Sequence, residues 1–407
     1  MNLKKIMIGD HCIVTSSKRF HLSERVESGI PFYRSKEIIQ KFKGEVVTEC
    51  DYIPIDEYAN IERQFGAPRV GDLLLTTRGT YGVPYVYKEN DCFYFADGNI
   101  TWFKDFVESL NSKYLYYWFQ SYEGYQKVDA IAKGTAQKAV PITTLKQLEL
   151  YTPIIDLQNK IVNILSAYDS LIENNQKQIK LLEEAVQRLY KEWFIDLRFP
   201  GYENVEIVDG VPEGWNINRA DHYFKITIGK TPSRAEKQWF ANSGEGTPWI
   251  SISDMGEAGA FAFYSKEDLT AEAIVRHNMK VVPKGSVLVS FKLTVGRVAI
   301  TGIDMCTNEA IAHFYIDNDL DRAYTYCYLK NFEYDSLGNT SSISKAINSK
   351  IIKSMSFIMP SRDILEQFSM IVQPILNQIE LKQKMIFRLT EARDRLLPKL
   401  MSGEIEV

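Results

Sequence analysis

The sequence predicts an α+β fold in which two mixed α/β domains are separated by two long helices that pair as an antiparallel coiled coil. First, residues 156–194 carry apolar side chains at heptad spacing, which only an α-helix places on one stripe. Second, a shift of 207 residues, which carries Pro153 onto Pro360, repeats this stretch without a gap. Third, a block with strand and turn signals precedes each copy. The chain is therefore expected to be a pseudo-twofold tandem repeat.

Residues 1–152 form the first predicted domain, because short apolar segments alternate there with turn residues. We expect strands at 73–75, 83–87, 93–95, 100–103 and 148–151, and a helix at 112–121. The aromatic residues of that helix are expected in the core. A small basic loop occupies residues 133–139.

Residues 153–200 contain the first long helix. Neither Gly nor Pro interrupts its heptad seam, which consists of Ile161, Leu165, Tyr168, Ile172, Asn175, Ile179, Leu182, Val186, Leu189 and Trp193. A helix with an apolar stripe of this length needs a partner for that stripe.

Residues 201–359 contain a linker with turn residues and then the second predicted domain. Residues 285–296 correspond to residues 71–82, and residues 338–346 correspond to the loop that begins at Gly134. Elsewhere the two domains differ far more than the two helices do. Two dissimilar domains on one repeated scaffold suit a ligand with two sites at a fixed separation, and duplex DNA is the obvious candidate.

Residues 360–407 contain the second long helix, whose seam consists of Phe368, Val372, Ile375, Ile379, Lys382, Ile386, Leu389, Arg393, Leu396 and Leu400. Lys382 takes the seam position of Asn175. A polar residue at this position can fix the register of the helix pair. The alternative, to which we give equal weight, is that the position lies near solvent and simply tolerates a polar side chain. Pro374 stands where the first copy has Ala167, and we expect it to kink the helix or delay its start.

Composition narrows the class of protein. The chain has 407 residues, 45% hydrophobic and 25% charged, with a net charge of −4, so a DNA-binding chain must gather its Lys and Arg on one face or share the work with a partner. The five cysteines are scattered, which favours reduced thiols in the cytoplasm. The five histidines are equally dispersed, so we expect no metal site. We expect neither a signal peptide nor a membrane span.

Several short motifs follow one another along the chain. They are GDLLLT at 71–76 with Arg78-Gly79, GTAQK at 134–138, Pro153-Ile154-Ile155, Glu192-Trp193-Phe194, Phe199-Pro200-Gly201, and LPKLMSGEI at 397–405. Together with the tandem order of block and helix, they make the chain resemble the specificity (S) subunit of type I restriction–modification enzymes. The resemblance covers essentially the whole length.

This resemblance implies that each domain is a target recognition domain for one half of a bipartite double-stranded DNA site. The helices would set the spacer and dock the modification (methyltransferase) subunits, two of them in all. A restriction subunit, an ATP-dependent translocase and nuclease, would complete the enzyme. The subunit itself would have no catalytic residue and no cofactor.

The residues agree with a lack of catalysis. Gly229-Lys230-Thr231 looks like the end of a phosphate-binding loop, but Phe224 stands where the first Gly is required. No Asn/Asp-Pro-Pro-Tyr/Phe motif of adenine methyltransferases is present in the sequence.

Candidate DNA contacts are polar and basic residues on loops, because base edges and phosphates need hydrogen-bond donors and positive charge. In the first domain they are Lys18, Arg19, Arg34, Arg78, Thr80, Tyr81, Lys133, Thr135, Gln137 and Lys138. In the second they are Lys230, Thr231, Ser233, Arg234, Lys292, Thr294, Arg297, Ser341, Ser342 and Lys345. An ordinary solvated loop is the alternative for each.

Two other functions remain open. One is a duplicated coiled-coil scaffold that docks another protein and has no DNA specificity. Another is an enzyme with its own methyltransferase in the chain, against which the missing motifs argue. A salt-dependent gel shift on duplex DNA separates DNA binding from protein docking.

Overall fold

The protein is described by a computed structural model that covers residues 3–21, 25–134, 138–208, 210–337 and 347–407. The chain divides into two compact units. The first unit is Met1–Glu173 with Phe387–Val407, and the second unit is Asn174–Ile386. Each long helix contributes residues to both units.

The first unit contains nine described strands and five short helices. The strands are β1 (Lys4–Met7), β2 (Ile13–Thr15), β3 (Ile30–Tyr33), β4 (Asp51–Ile53), β5 (Leu73–Thr76), β6 (Pro84–Val86), β7 (Tyr94–Phe95), β8 (Ile100–Lys104) and β9 (Glu149–Thr152). The helices are α1 (Ser35–Phe42), α2 (Ile55–Phe65), α3 (Ser112–Gln120), α4 (Tyr122–Ile131) and α5 (Ile142–Lys146). The strands predicted in this block and the aromatic helix are confirmed.

The first long helix, α6 (Ile155–Tyr190), leads into the second unit, and a π-helical turn, Lys191–Ile195, continues it. The strands that follow are β10 (Ile207–Val208), β11 (Val211–Pro212), β12 (Asn216–Arg219), β13 (Ile226–Ile228), β14 (Phe240–Asn242), β15 (Thr247–Ile250), β16 (Phe261–Ala262), β17 (Glu267–Leu269), β18 (Val287–Ser290), β19 (Val298–Thr301), β20 (Cys306–Thr307), β21 (Ile311–Phe314) and β22 (Ser356–Met359). The helices are α7 (Ala220–Tyr223), α8 (Ile252–Glu257), α9 (Ala271–Arg276), α10 (Asp319–Asn331), α11 (Ser349–Lys353) and the second long helix, α12 (Arg362–Ser402).

The two units repeat one sheet topology. The main sheet has the order β2-β8-β5-β6 in the first unit and β13-β21-β18-β19-β16 in the second, with all four shared strands antiparallel to their neighbours. A second sheet has the order β4-β3-β7 in the first unit and β14-β17-β15-β20 in the second. The tandem repeat and the α+β class are therefore confirmed.

The long helices are part of both hydrophobic cores. In the first unit, Ile161 and Leu165 of α6 and Leu397 and Leu400 of α12 are buried in the cluster that contains Trp118. In the second unit, Val186 of α6 and Phe368, Val372 and Ile379 of α12 are buried with Tyr324 and Phe357. Within each unit, an early part of one helix meets a late part of the other, so the pairing is antiparallel. The coiled-coil prediction is confirmed. The seam residues of both helices also pack against the globular part of each unit.

Equivalent glutamates join each domain to a long helix. Glu173 of α6 lies 2.9 Å from Lys88 in the first unit, and Glu380 of α12 lies 3.1 Å from Lys284 in the second. A shift of 207 residues relates the two glutamates. Because three of these four side chains are about half exposed, the pairs orient the domains more than they stabilise them.

Pro374 does not delay the second helix. Helix α12 begins at Arg362 and continues past the proline to Ser402, so the expectation of a late start is wrong. The proline removes one backbone donor that would bond the carbonyl of Met370, and Met370 is exposed, so water can replace the missing bond. Among the described residues, no helix combines the length and apolar composition that crossing a bilayer requires.

Candidate nucleic-acid interface

In the first unit, four strands end or begin at one end of the main sheet. Thr15, the last residue of β2, pairs with Trp102 near the start of β8, and Thr76, the last residue of β5, pairs with Ile100. Leu75 pairs with Pro84, where β6 begins. The loops at residues 16–19, 77–83 and 96–99 therefore leave the sheet at the same end. Five of the ten candidates in this domain lie on these loops.

These five candidates differ in how firmly they are held. The Lys18 ammonium lies 4.8 Å from the centre of the Phe65 ring, and Arg19 is 2.9 Å from Asp97. Arg78 and Thr80 are exposed at the turn after β5. The Arg78 guanidinium forms no ion pair or hydrogen bond with any side chain in the described ranges, so it is available to a phosphate or a guanine.

Arg34 lies beside this end of the sheet but is already paired. The neighbouring Ser35 donates a hydrogen bond to the Asn99 carbonyl at 3.3 Å, which places the start of α1 next to the loops. The Arg34 guanidinium pairs with Asp51, and Arg25 pairs with the same carboxylate. An Arg34 contact to DNA would compete with this ion pair.

The two ends of the basic loop, Lys133 and Ala139, are held against the Arg78 turn, although the sequence separates them from it by more than fifty residues. Lys133 and Ala139 exchange two backbone hydrogen bonds of 2.8 Å, and the Val140 N–H donates to the Thr77 carbonyl at 2.9 Å. This brings Lys133 and Lys138, both exposed, to the end of the sheet that carries Arg78. Thr135 and Gln137 lie outside the described residues.

Asp129 organises the side chains of this loop. The Tyr81 hydroxyl donates a hydrogen bond to Asp129, and Lys138 Nζ lies 3.0 Å from the same oxygen. The hydrogen bonds from Tyr81 and Lys138 lower the pKa of Asp129. Tyr81 is half-buried against the core, so its role here is to position the carboxylate rather than to stack on a base.

The second unit gathers its candidates at the equivalent end of its main sheet. Ile228, the last residue of β13, pairs with Ala312 near the start of β21, and Ser290, the last residue of β18, pairs with Ile311. The segment 229–234, the turn 291–297 and Glu309 therefore leave the sheet together. All seven described candidates of this domain lie in this region.

Glu309 draws three candidates together. Thr231 donates a hydrogen bond to its carboxylate. Desolvation raises the pKa of Glu309, but the hydrogen bond from Thr231 and the positive charges of Lys292 and Arg234 outweigh it, so the pKa lies below its usual value. Loops that are distant in sequence thus share one charged cluster.

The basic residues of the 229–234 segment, Lys230 and Arg234, already have partners within the second unit. The Arg234 guanidinium lies 4.4 Å from the centre of the Phe240 ring and 4.6 Å from that of Trp249, and it pairs with Glu267 at 2.6 Å. Lys230 Nζ donates to the Asn278 carbonyl at 3.2 Å. Ser233 is exposed. Ser341, Ser342 and Lys345 lie outside the described residues.

Arg297 has a structural role in the same turn. Its guanidinium is half-buried and donates a hydrogen bond to the Ile252 carbonyl, which braces the turn against α8. It therefore differs from Arg78 on the equivalent loop, whose guanidinium has no side-chain partner among the described residues. Lys292 and Thr294 are exposed on the turn.

The turns at residues 77–82 and 291–296, called here the tip loops, are closed by the same hydrogen bonds and have positive φ angles at two equivalent positions. The Gly82 and Gly296 N–H groups donate to the carbonyls of Thr76 and Ser290 at 2.7 and 2.9 Å. The hydroxyls of Thr76 and Ser290 each accept a hydrogen bond of 3.0 Å from the residue that follows the loop, Val83 and Arg297 respectively.

One residue of the second tip loop was missed by sequence reasoning. Leu293 has a positive φ of 61° and a side chain that is 91% exposed, and it stands where the first loop has Gly79, with φ 72°. The alignment of residues 71–82 with 285–296 already contains this exchange of Gly for Leu. A leucine at a position that suits glycine is the signal that could have identified it.

Two features of the described residues bear on metal binding and acid–base chemistry. In the described ranges, no group of three or more His, Cys, Asp or Glu side chains could hold a metal ion. His313 is buried between Thr227 and Thr307, which lie 2.9 and 2.7 Å from its ring nitrogens, and burial lowers its pKa to about 3. It is a satisfied core residue.

The comparisons with known proteins agree on one family. Residues 2–184 and 212–391 match the sequence profile described as the type I restriction modification DNA specificity domain. The chain is 28% identical over 365 residues to the type I restriction enzyme MjaIX specificity subunit of Methanocaldococcus jannaschii, covering 83% of this chain and 78% of that protein. It is 26% identical over 353 residues to the HindI specificity subunit of Haemophilus influenzae, covering 69% and 74%.

A solved structure shares the fold. The crystal structure of the type I restriction–modification S subunit from M. genitalium superimposes with a TM-score of 0.62 and covers 98% of this chain and 96% of that chain. The sequence identity in this superposition is 17%, so the likeness establishes a common fold. The repeated sheets and paired helices are thus an architecture found in another protein.

Proposed function

Because this chain belongs to the type I restriction modification DNA specificity family, with both repeats matched, we propose that it is the DNA sequence-specificity subunit of a type I restriction–modification enzyme. One structural observation supports the proposal in addition to family membership. Each unit gathers Lys and Arg from distant parts of the sequence at one end of its main sheet, and the two ends share the hydrogen bonds that close the tip loops but carry different side chains. This is what recognition of two different half-sites requires.

We assign the recognition domains to residues 1–152 and 201–359, the latter with its linker, and the conserved helical regions to residues 153–200 and 360–407. The first recognition domain binds one half of a bipartite double-stranded DNA site, and the second binds the other half. The helices fix the spacing between the half-sites.

The helices also dock the partner subunits in this proposal. Several large apolar side chains on them are exposed, among them Leu181, Leu381, Met370 and Ile371. Exposed apolar surface of this kind supports a protein partner. We infer that two modification subunits bind here and carry out methyl transfer, and that a restriction subunit supplies ATP-driven translocation and cleavage. The specificity subunit has no catalytic residue of its own, and the complex acts in the cytoplasm.

The experiment that tests this function is an exchange of recognition domains. Residues 1–152 are replaced by the matching block of a relative with a different target, the variant is co-expressed with the modification subunits, and the methylated sites are mapped by sequencing. One half-site should change while the other half and the spacer stay the same. A change in both halves, or in neither, contradicts the proposal.

A gel shift on duplex DNA at several salt concentrations addresses the docking-scaffold alternative. Specific binding that weakens steeply with salt supports DNA recognition, because phosphate contacts release counterions. A chain that binds the modification subunits but shows no salt-dependent DNA binding, alone or in the complex, would be a scaffold.

A further inference from the structure

We propose that Leu293 is a specificity-determining residue that contacts the C5-methyl group of a thymine in the half-site bound by the second unit. The inference rests on the proposed function. It adds a residue and a base type that no family feature assigns, and it comes from the geometry of the second tip loop.

The backbone at Leu293 is unfavourable for leucine. Its φ of 61° lies in the left-handed region, where the Cβ atom crowds the following carbonyl oxygen. Glycine, which has no Cβ, occupies this position in the first tip loop. Leucine therefore costs folding free energy here, and a side chain that is 91% exposed recovers almost none of it by burial.

The second tip loop is held rigidly at its base. The Ser290 hydroxyl donates to the Thr294 carbonyl at 2.6 Å and accepts from the Arg297 N–H at 3.0 Å. Phe291 is fully buried, and its N–H donates to the Ala310 carbonyl at 2.9 Å. The surrounding structure thus imposes the left-handed conformation and presents the Leu293 side chain outward in a fixed place.

The neighbours of Leu293 identify its ligand. Lys292 and Thr294 flank it and are exposed, so the apolar side chain projects from a polar, basic surface suited to DNA. A leucine cannot form a hydrogen bond with a base. The apolar feature that unmodified base pairs present in the major groove is the C5-methyl group of thymine.

The test combines a protein variant with a DNA variant. Uracil lacks only the C5-methyl group, so each thymine of the second half-site is replaced singly by uracil in duplexes that carry the mapped target. Binding is measured for the complex with its modification subunits, with the wild-type chain or with Leu293→Gly. One uracil should weaken wild-type binding about fourfold, the effect of losing one buried methyl group, and leave Leu293→Gly binding unchanged.

Stability controls separate recognition from folding. Leu293→Gly introduces the residue of the first tip loop, so its thermal unfolding temperature should equal or exceed that of the wild type. Leu293→Ala is a second variant that keeps a Cβ and should lose the same uracil sensitivity. Ile207→Ala removes another exposed apolar side chain of the second unit, and it should keep the wild-type response.

The outcomes are distinct. The inference is overturned if the second half-site contains no thymine, if no uracil weakens wild-type binding, or if uracil weakens wild type and Leu293→Gly equally. The proposed function fails separately, if the wild-type complex shows no preference for the mapped duplex over an unrelated one. Specific binding with no effect at Leu293 removes this residue's role alone.

Discussion

Arg393 Nη1 lies 2.7 Å from Asp169 Oδ1, and this ion pair joins α12 to α6 within the first unit. The Tyr117 hydroxyl donates to the other oxygen of Asp169 at 2.6 Å. A shift of 207 residues maps Asp169 onto Leu376 and Arg393 onto Val186, both of which are 1% exposed in the core of the second unit. The same place in the helix pair is therefore charged in one unit and apolar in the other.

We expect Asp169→Ala and Arg393→Ala each to lower the free energy of unfolding by about 2 kcal/mol, because Arg393→Ala removes the cation that pairs with the partly buried Asp169 carboxylate, and Asp169→Ala leaves the Arg393 guanidinium to the more exposed carboxylate of Asp394. The double variant should lose less than the sum, with a coupling energy of about 1 kcal/mol. Urea unfolding of the four proteins measures this. Strict additivity would show that the two charges do not interact.

The second unit supplies the matched replacement for this pair. Asp169→Leu combined with Arg393→Val installs the apolar pair found at Leu376 and Val186 and should recover part of the stability lost by either alanine variant. The recovery is partial because the Tyr117 hydroxyl loses its acceptor. A double variant less stable than both single alanine variants would contradict this expectation.

His313 should make the stability of the protein fall in acid. Burial lowers its pKa from 6.5 to about 3, so the unfolded chain takes up a proton below pH 6.5 that the folded protein excludes. Its contribution to stability is complete above pH 6.5 and is lost as the pH falls towards 3. At pH 5 the loss should be about 2 kcal/mol relative to pH 7.5.

The measurement is urea unfolding at the two pH values. His313→Gln can still form hydrogen bonds but does not titrate, so it should lack this part of the pH dependence. His222→Gln, which changes an exposed histidine, should behave like the wild type. An unchanged pH dependence in His313→Gln would exclude His313 as the source.

Arg78 and Arg297 should respond oppositely to substitution by alanine. The Arg78 guanidinium is exposed and has no side-chain partner in the part of the chain that the structure describes, so its removal should weaken DNA binding about tenfold, reduce the salt slope by about one, and leave the unfolding temperature unchanged. Arg297 braces its turn through the Ile252 carbonyl, so its removal should lower the unfolding temperature. Salt-dependent binding and thermal unfolding, measured on both variants, decide between these roles. A destabilised Arg78→Ala with normal DNA binding would be the reverse of this prediction.

Gln383 should be needed to hold the segment Ala258–Phe261 of the second unit on α12. Its side chain accepts from the Phe261 N–H at 3.0 Å and donates to the Ala258 carbonyl at 2.6 Å. In Gln383→Glu the donor becomes an acceptor that faces the carbonyl, and we expect a loss of about 2 kcal/mol in the free energy of unfolding. Gln176→Glu, the same change at the position 207 residues earlier, is the control and should cost little. Equal losses in both variants would argue against the pairing.

The long helices and the repeat could be predicted from the sequence because heptad periodicity is local and appears twice. Strands such as β5 and β8 were also predictable, since short apolar runs lay between turn residues. The helices α1 and α2 were not predicted. They are short, and each has only a few apolar residues among charged ones, so its helical periodicity is hard to recognise. Pro374 was expected to kink α12 or delay its start, but the helix begins at Arg362 and continues past the proline, because the exposed Met370 carbonyl lies where water can replace the missing bond.

The candidate interface was predictable in its residue types but not in its assembly. That Lys133 and Ala139 lie against the Arg78 turn depends on a backbone pairing between distant segments, which no local pattern contains. The carboxylates of Asp129 and Glu309 were not among the predicted residues, because only the fold brings Asp129 to Lys138 and Glu309 to Thr231. The hydrogen bond from the Arg297 guanidinium to the Ile252 carbonyl distinguishes Arg297 from Arg78. The sequence does not predict that contact either.

The hydroxyls of Thr76 and Ser290 have a consequence for how new specificities evolve. Because each tip loop is shaped by bonds at its base, the outermost positions can accept glycine in one copy and leucine in the other without a change of backbone. Single substitutions at these outermost positions can therefore arise one at a time while the chain stays folded and functional. A lineage could in this way shift its target by point mutation, without acquiring a foreign domain by recombination.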